Sequence, residues 1–212
     1  MIGKWNKSVI LTYIGLTISV LGIMLVLFDV DLKYVMICLI VAGICDLFDG
    51  TVARRCKRTK EEKEFGIELD SLVDVMSFIA LPLVILFSIN KSVLFIPIAI
   101  IYAVFAIARL AYFNIKTADS NKAIKSYIGL PATYAALVFP LVFLLSYLLE
   151  NSLFIIIYNV ITLLVSILFI TKVKIPKPRL VSSIVLLLIA IIVSMIYLFV
   201  VWQKYIIVKQ KK

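Results

Sequence analysis

Apolar residues run along this chain in long blocks, and polar residues gather where the blocks end. Residues 8–28, 126–149, 151–171 and 180–203 hold no charged side chain at all. A bilayer core of about 30 Å takes roughly 20 apolar residues of helix, so blocks of this length predict membrane-spanning helices. Seven spans follow from the pattern: 8–28, 32–54, 66–89, 92–113, 129–149, 152–171 and 180–202. Short polar turns at 29–31, 90–91 and 150–151 join them on one side, and longer polar loops at 55–65, 115–128 and 172–179 on the other. The fold class expected is all-α, a polytopic membrane helix bundle of six to eight transmembrane helices, forming one integral membrane domain over residues 1–212.

Composition agrees with the pattern. Hydrophobic residues make up 64% of the 212, well above a soluble domain. The net charge of +10 raises the question of nucleic acid, but its placement answers it. Sixteen of the 22 Lys and Arg residues lie in 4–7, 54–63, 109–125 and 172–179, at alternate ends of successive spans. That is the bias of cytoplasmic loops, and such residues face anionic lipid headgroups. No nucleic-acid partner is expected. The chain is expected in the cell membrane, with these loops in the cytoplasm. Seven spans would leave Lys204, Lys209, Lys211 and Lys212 on the outer side, against the same rule. Residues 1–7 suggest an interfacial helix with Trp5 at headgroup level, and the full-length apolar run that follows is unlike a cleavable signal. Cys38, Cys45 and Cys56 have neither disulfide nor zinc spacing. There is no histidine, so a general base or metal ligand must come from another residue type.

Carboxylates supply it. Span two ends with Asp46, Asp49, Gly50, Ala53 and Arg54, and span three begins with Gly66, Asp70 and Asp74. A carboxylate inside a membrane helix costs several kcal/mol unless it is paired, which makes each one a functional candidate. Spacings of three and four put each pair on one helix face. If the loop at 55–65 turns the two helices antiparallel, the stripes meet and four carboxylates converge at the cytoplasmic end. They repel one another unless cations are present, and an all-oxygen ligand set selects hard divalent ions such as Mg²⁺, Mn²⁺ or Ca²⁺. Gly50, Ala53 and Gly66 allow a close approach of either a helix or a ligand. Arg54 offers a fork for phosphate. Glu68 falls off the Asp70/Asp74 face, and the run 55–65 reads as a solvated connection.

The spacing Asp46-x2-Asp49-Gly50-x2-Ala53-Arg54-x11-Gly66-x3-Asp70-x3-Asp74 resembles the signature of the CDP-alcohol phosphotransferase family. The x11 gap and the stretch from Phe65 to Asp74 are similar to its membrane-integral phosphatidylserine synthases. Two further stretches resemble elements of those synthases: Ala108 to Asn114, where Tyr112 stands in place of a second Arg, and Gly129-Leu130-Pro131. At the start Leu11-Thr12 fits, but the Pro-Asn that often precedes it is absent. The resemblance implies catalytic helices at about 32–89, with Asp46, Asp49, Asp70 and Asp74 holding one or two Mg²⁺ or Mn²⁺ ions and Asp74 acting as catalytic base. It implies that Gly50, Ala53, Arg54 and Gly66 bind substrate, that Arg109 holds the acceptor carboxylate or a lipid phosphate, and that the substrates are CDP-diacylglycerol and L-serine. It also implies a homodimer in contact with membrane lipids. Another acceptor (glycerol phosphate or inositol phosphate), an ether-lipid donor or, remotely, a divalent-cation transporter remain open from the residues alone. For Arg109 the alternative is an anchor that snorkels to the interface.

Overall fold

In the computed structural model, residues 3–119, 126–176 and 185–199 are described. The chain folds into α1 (Ile10–Leu27), α2 (Leu32–Arg55), α3 (Lys60–Ile89) and α4 (Ile96–Asp119). There follow α5 (Ala135–Phe143), α6 (Asn151–Ile170) and α7 (Val185–Phe199). Among the described residues, five helices are long and apolar enough to cross a bilayer: α1 to α4 and α6. The helical membrane bundle expected from the apolar blocks is therefore the fold observed.

Three expectations are corrected. The polar connection between spans two and three is not an 11-residue loop, because α3 begins at Lys60 and only residues 56–59 are left as a turn. Thr59 and Glu62 form a reciprocal capping box: the Thr59 side chain accepts from the Glu62 N–H at 3.2 Å, and the Glu62 carboxylate accepts from the Thr59 N–H at 2.8 Å. This satisfies two end donors and starts the helix early. The fifth span is also shorter than predicted, at Ala132–Tyr147. Short 3₁₀ turns flank α5, and Pro140 sits inside it. Finally, residues 3–6 form no interfacial helix. A 3₁₀ turn starts at Lys7, and Trp5 stacks on Tyr13 with ring centroids 4.9 Å apart. The tail lysines from Lys204 onward lie outside the described residues.

Small residues bring α1 and α2 close together. A Cβ at Gly15 would meet the Cys45 Cβ at 3.2 Å, and one at Gly22 would meet the Cys38 Cβ at 3.1 Å. Both cysteines are free and buried, acting as small apolar packing groups. Gly43 on α2 does the same for α5, where an added Cβ would lie 2.5 Å from the Ala136 Cβ. Small faces of this kind let membrane helices approach closely. Around them the core is apolar and aromatic: Tyr102 on α4 packs against Phe139 and Phe169, and Phe139 stacks on Tyr158. Ile100, Val104 and Ile107 on α4 and Ile156, Val160 and Leu164 on α6 point outward, as lipid-facing residues do.

The two ends of the bundle are tied separately. At one end Lys91 reaches Asp29 at 4.0 Å, linking two of the predicted outer turns. At the other, β1 (Ser126–Ile128) pairs antiparallel with β2 (Lys174–Pro176), linking two of the predicted inner loops. Beside that ladder Gly129 has φ +80, and a Cβ there would strike the Phe169 carbonyl oxygen at 2.5 Å. Only glycine fits such a position without strain. The Gly129-Leu130-Pro131 stretch thus docks α5 onto the end of α6.

Within α3 the helix loosens. Residues Met76–Ala80 form a π turn, in which the Leu81 N–H reaches back to the Met76 carbonyl. Pro82 follows, and it has no N–H to give the Phe78 carbonyl four residues earlier. The Tyr102 hydroxyl supplies the missing donor, reaching that carbonyl at 2.6 Å. Ser19 on α1 and Ser77 share a buried hydrogen bond of 2.7 Å on the same turn. Turns of this kind are frequent at functional sites, and this one begins two residues after Asp74.

Candidate active site

Helix α2 carries Asp46 and Asp49 on the face that meets α3, and α3 returns Asp70 and Asp74 to them. The pairing is antiparallel. Asp46 and Asp74 lie within side-chain hydrogen-bonding reach of each other, as do Asp49 and Asp70. All four line one narrow cavity of about 10 Å³, closed on the α1 side by Thr12 and Gly15. Asp46, Asp49 and Asp70 each bring one carboxylate oxygen within 4.8 Å of the others. Oxygens this close, all from carboxylates, fit a shared hard divalent cation. Thr12 donates from its hydroxyl to the Asp49 carboxylate at 3.2 Å, fixing its orientation. Glu68 is exposed and outside the cluster.

A second, larger pocket of about 180 Å³ opens from Asp49 and Asp70, and it gathers the other candidates except Arg109. Gly50, Ala53, Arg54 and Gly66 all line it. The glycines face space rather than a tightly packed helix: a Cβ at Gly50 would meet only the Arg54 Nη1, at 3.5 Å, and one at Gly66 nothing nearer than 3.7 Å. The two glycines therefore border open space rather than a neighbouring helix. The pocket also holds Arg58 and Lys63, which sequence reasoning assigned to a solvated connection. Their signal is the Thr59-x-x-Glu62 capping box, which starts α3 early and so shortens that connection.

Arg109 sits apart from this pocket, on α4. It is only 7% exposed, so it does not snorkel. Its guanidinium lies over the Phe113 ring at 5.1 Å and is close enough to Asp46 for its charge to act on that carboxylate. Next to it Asn114 donates to the Ser71 hydroxyl on α3 at 2.7 Å, which holds this end of α4 beside the acidic helix. Asp46 also lines a third pocket, of about 80 Å³, whose walls are mainly apolar residues of α2, α5 and α7, among them Ile40, Ile44, Leu137 and Leu187. Asp46 is therefore shared by the acidic cavity and the apolar groove, while Asp49 and Asp70 are shared by the acidic cavity and the basic pocket.

Acidic residues on two antiparallel helices, flanked by a basic pocket and an apolar groove, are an arrangement for a molecule that is anionic at one end and oily at the other. A model of the CDP-alcohol phosphatidyltransferase family matches residues 5–170. The chain belongs to that family. The match runs from the N-terminal segment to the end of α6 and includes all four aspartates.

Named relatives narrow the neighbourhood. The chain is 37% identical over 130 residues to a CDP-diacylglycerol–serine O-phosphatidyltransferase of Helicobacter pylori, covering 59% of this chain and 53% of that one. It is 35% identical over 134 residues to a protein of the same name from Methanocaldococcus jannaschii, covering 63% and 59%. An archaetidylserine synthase of Methanothermobacter thermautotrophicus is 29% identical over 160 residues, covering 74% and 64%. The chain thus spans little more than half the length of the Helicobacter relative.

Proposed function

We propose that this family member transfers the phosphatidyl group of CDP-diacylglycerol to the hydroxyl of L-serine, releasing CMP. The observation that carries the reading is the meeting of Asp46, Asp49 and Asp70 within 4.8 Å, beside a pocket lined by Gly50, Ala53, Arg54 and Gly66. The names of the relatives support serine as the acceptor.

The chemistry follows from what lines the two pockets. The serine hydroxyl attacks the lipid-side phosphorus of the donor, a P–O bond forms there, and the bond to the CMP oxygen breaks. Asp74 takes the hydroxyl proton as general base, a role that needs a carboxylate within hydrogen-bond reach of the acceptor. Asp46, Asp49 and Asp70, with Asp74, would hold one or two Mg²⁺ or Mn²⁺ ions. When bound, such ions neutralise the diphosphate and stabilise the charge that develops on the leaving phosphate. Gly50, Ala53 and Gly66 let the nucleotide approach the backbone, and Arg54 takes part of the phosphate charge. Arg109 would hold the serine carboxylate on the Asp46 side of the cluster. The apolar groove beyond Asp46 gives the diacylglycerol a path out to the bilayer. The site belongs at the cytoplasmic face of the cell membrane, where soluble serine and a lipid donor can both reach it.

The test is CMP release from purified protein in detergent with CDP-diacylglycerol, Mn²⁺ and a panel of alcohols. Release that depends on serine and stops with EDTA supports the reading. Release that depends instead on glycerol phosphate or inositol phosphate removes serine, and full activity in chelator removes the metal. The likeness to the archaetidylserine synthase favours a second donor, the ether-linked CDP-lipid, which the same assay distinguishes by its relative rate.

A further inference from the structure

The turn 56–59 is held more firmly than its four residues require. Asn6 donates from its side-chain amide to the Lys57 carbonyl at 3.3 Å, and Lys4 pairs with Glu61 at 2.7 Å. Gly3 lies against the Phe65 ring. The N-terminal segment therefore straps the start of α3 in place, with the capping box locking the same turn from within. What this bracing presents is Arg58. Its Nη1 would lie 3.9 Å from a Cβ at Gly66, on the wall of the pocket that ends at Asp49 and Asp70. Arg58 is half-buried, and neither it nor Lys63 makes an ion pair among the described residues. Asp49 is buried at the base of this pocket, while Arg54 and Lys63 are exposed at its rim.

We infer that Arg58 and Lys63, together with Arg54, form the binding site for the nucleotide-side phosphate of the donor, and so for CMP as it leaves. The inference rests on the proposed use of a CDP-linked donor. A guanidinium on a pocket wall with no ion pair among the described residues is matched by a phosphate, which it can grip with two parallel hydrogen bonds. Lys63, three residues before Gly66, adds a second positive charge at the mouth. The acids deep in the pocket and the bases at its rim would divide the diphosphate between them, with the lipid-side phosphate toward the aspartates and the nucleotide-side phosphate toward Arg58.

The experiment is calorimetric binding of CMP to the full chain in neutral detergent with Mn²⁺ present, alongside KM for CDP-diacylglycerol. Arg58→Gln and Lys63→Gln should each weaken CMP binding by about tenfold, in keeping with the loss of a charge-assisted hydrogen bond. KM should rise more than kcat falls, and Mn²⁺ binding should be retained. Arg55→Gln, off the pocket and one turn away, should bind CMP as wild type does. Should Arg58→Gln fail to fold, Lys63→Gln carries the test, since that side chain is exposed. Unchanged CMP affinity in both variants overturns the inference, as does a loss of binding to phosphatidylglycerol without a loss for CMP, which would make this a headgroup site. Arg58-dependent CMP binding in a protein that does not use serine would sustain the inference while removing the acceptor reading. A wild type that binds Mn²⁺ but not CMP overturns both.

Discussion

The Thr12 hydroxyl of α1 donates to the Asp49 carboxylate of α2 across 3.2 Å of buried space. The first helix is thereby part of the acidic site, although none of its own residues is charged. Removing a group that orients a metal-ligating carboxylate typically costs about 10–100-fold in metal affinity. Thr12→Val keeps the shape and removes the donor. It should weaken Mn²⁺ binding by about tenfold, read as the Mn²⁺ concentration giving half-maximal CMP release. Equal Mn²⁺ requirements in the two proteins would show that this hydrogen bond only holds α1 to α2.

Asp74 carries a different expectation, because its proposed task is proton transfer as well as binding. Asp74→Asn should lower turnover by at least about 100-fold, the scale of general-base catalysis, while CDP-diacylglycerol still binds. Single-turnover assays alongside equilibrium binding separate the two effects. Normal turnover would remove Asp74 as the base.

The π turn after Asp74 depends on Tyr102. Tyr102→Phe would leave the Phe78 carbonyl without its donor, and Pro82 offers no replacement. An unsatisfied buried carbonyl costs about 1–3 kcal/mol, so thermal unfolding in detergent should occur at a lower temperature. Replacing Pro82 with Ala restores a backbone N–H in reach of that carbonyl, and the double variant should regain part of the loss. No recovery would mean that the π turn, rather than the proline, leaves the carbonyl open.

Gly43 tests the packing of α5 on α2. With the Ala136 Cβ only 2.5 Å from where a new Cβ would sit, Gly43→Ala must push the helices apart, at a cost of about 1–3 kcal/mol for overpacking. Adding Ala136→Gly should recover most of it. A Gly43→Ala protein as stable as wild type would show that α5 shifts freely against α2.

How far the sequence foretells this site depends on the kind of signal. Asp46 and Asp49 at a spacing of three, and Asp70 and Asp74 at four, announce two helix faces, and antiparallel contact of those faces is what pairs Asp46 with Asp74 and Asp49 with Asp70. The position of Arg58 and Lys63 on the pocket wall is hidden, because a mixed basic and acidic run has no hydrophobic period, and only the Thr59–Glu62 box marks where the helix starts. The Tyr102–Phe78 contact joins residues 24 apart in sequence, so no local pattern contains it. The fifth span lies in a block of 24 uncharged residues, 126–149, where no charge marks a boundary, and Pro140 with its flanking 3₁₀ turns limits a helix that apolarity alone would run longer. The pairing of β1 with β2 involves three residues a side, too few for alternation to register.

The claim that acids from α2 and α3 jointly hold a divalent ion is tested most directly by electron paramagnetic resonance of Mn²⁺ added to the purified, detergent-solubilised protein. Wild type should take up Mn²⁺ and release it to EDTA. Asp46→Asn, Asp49→Asn and Asp70→Asn, each still folded, should bind it at least about tenfold more weakly. Uptake by all three variants at wild-type affinity would contradict the account.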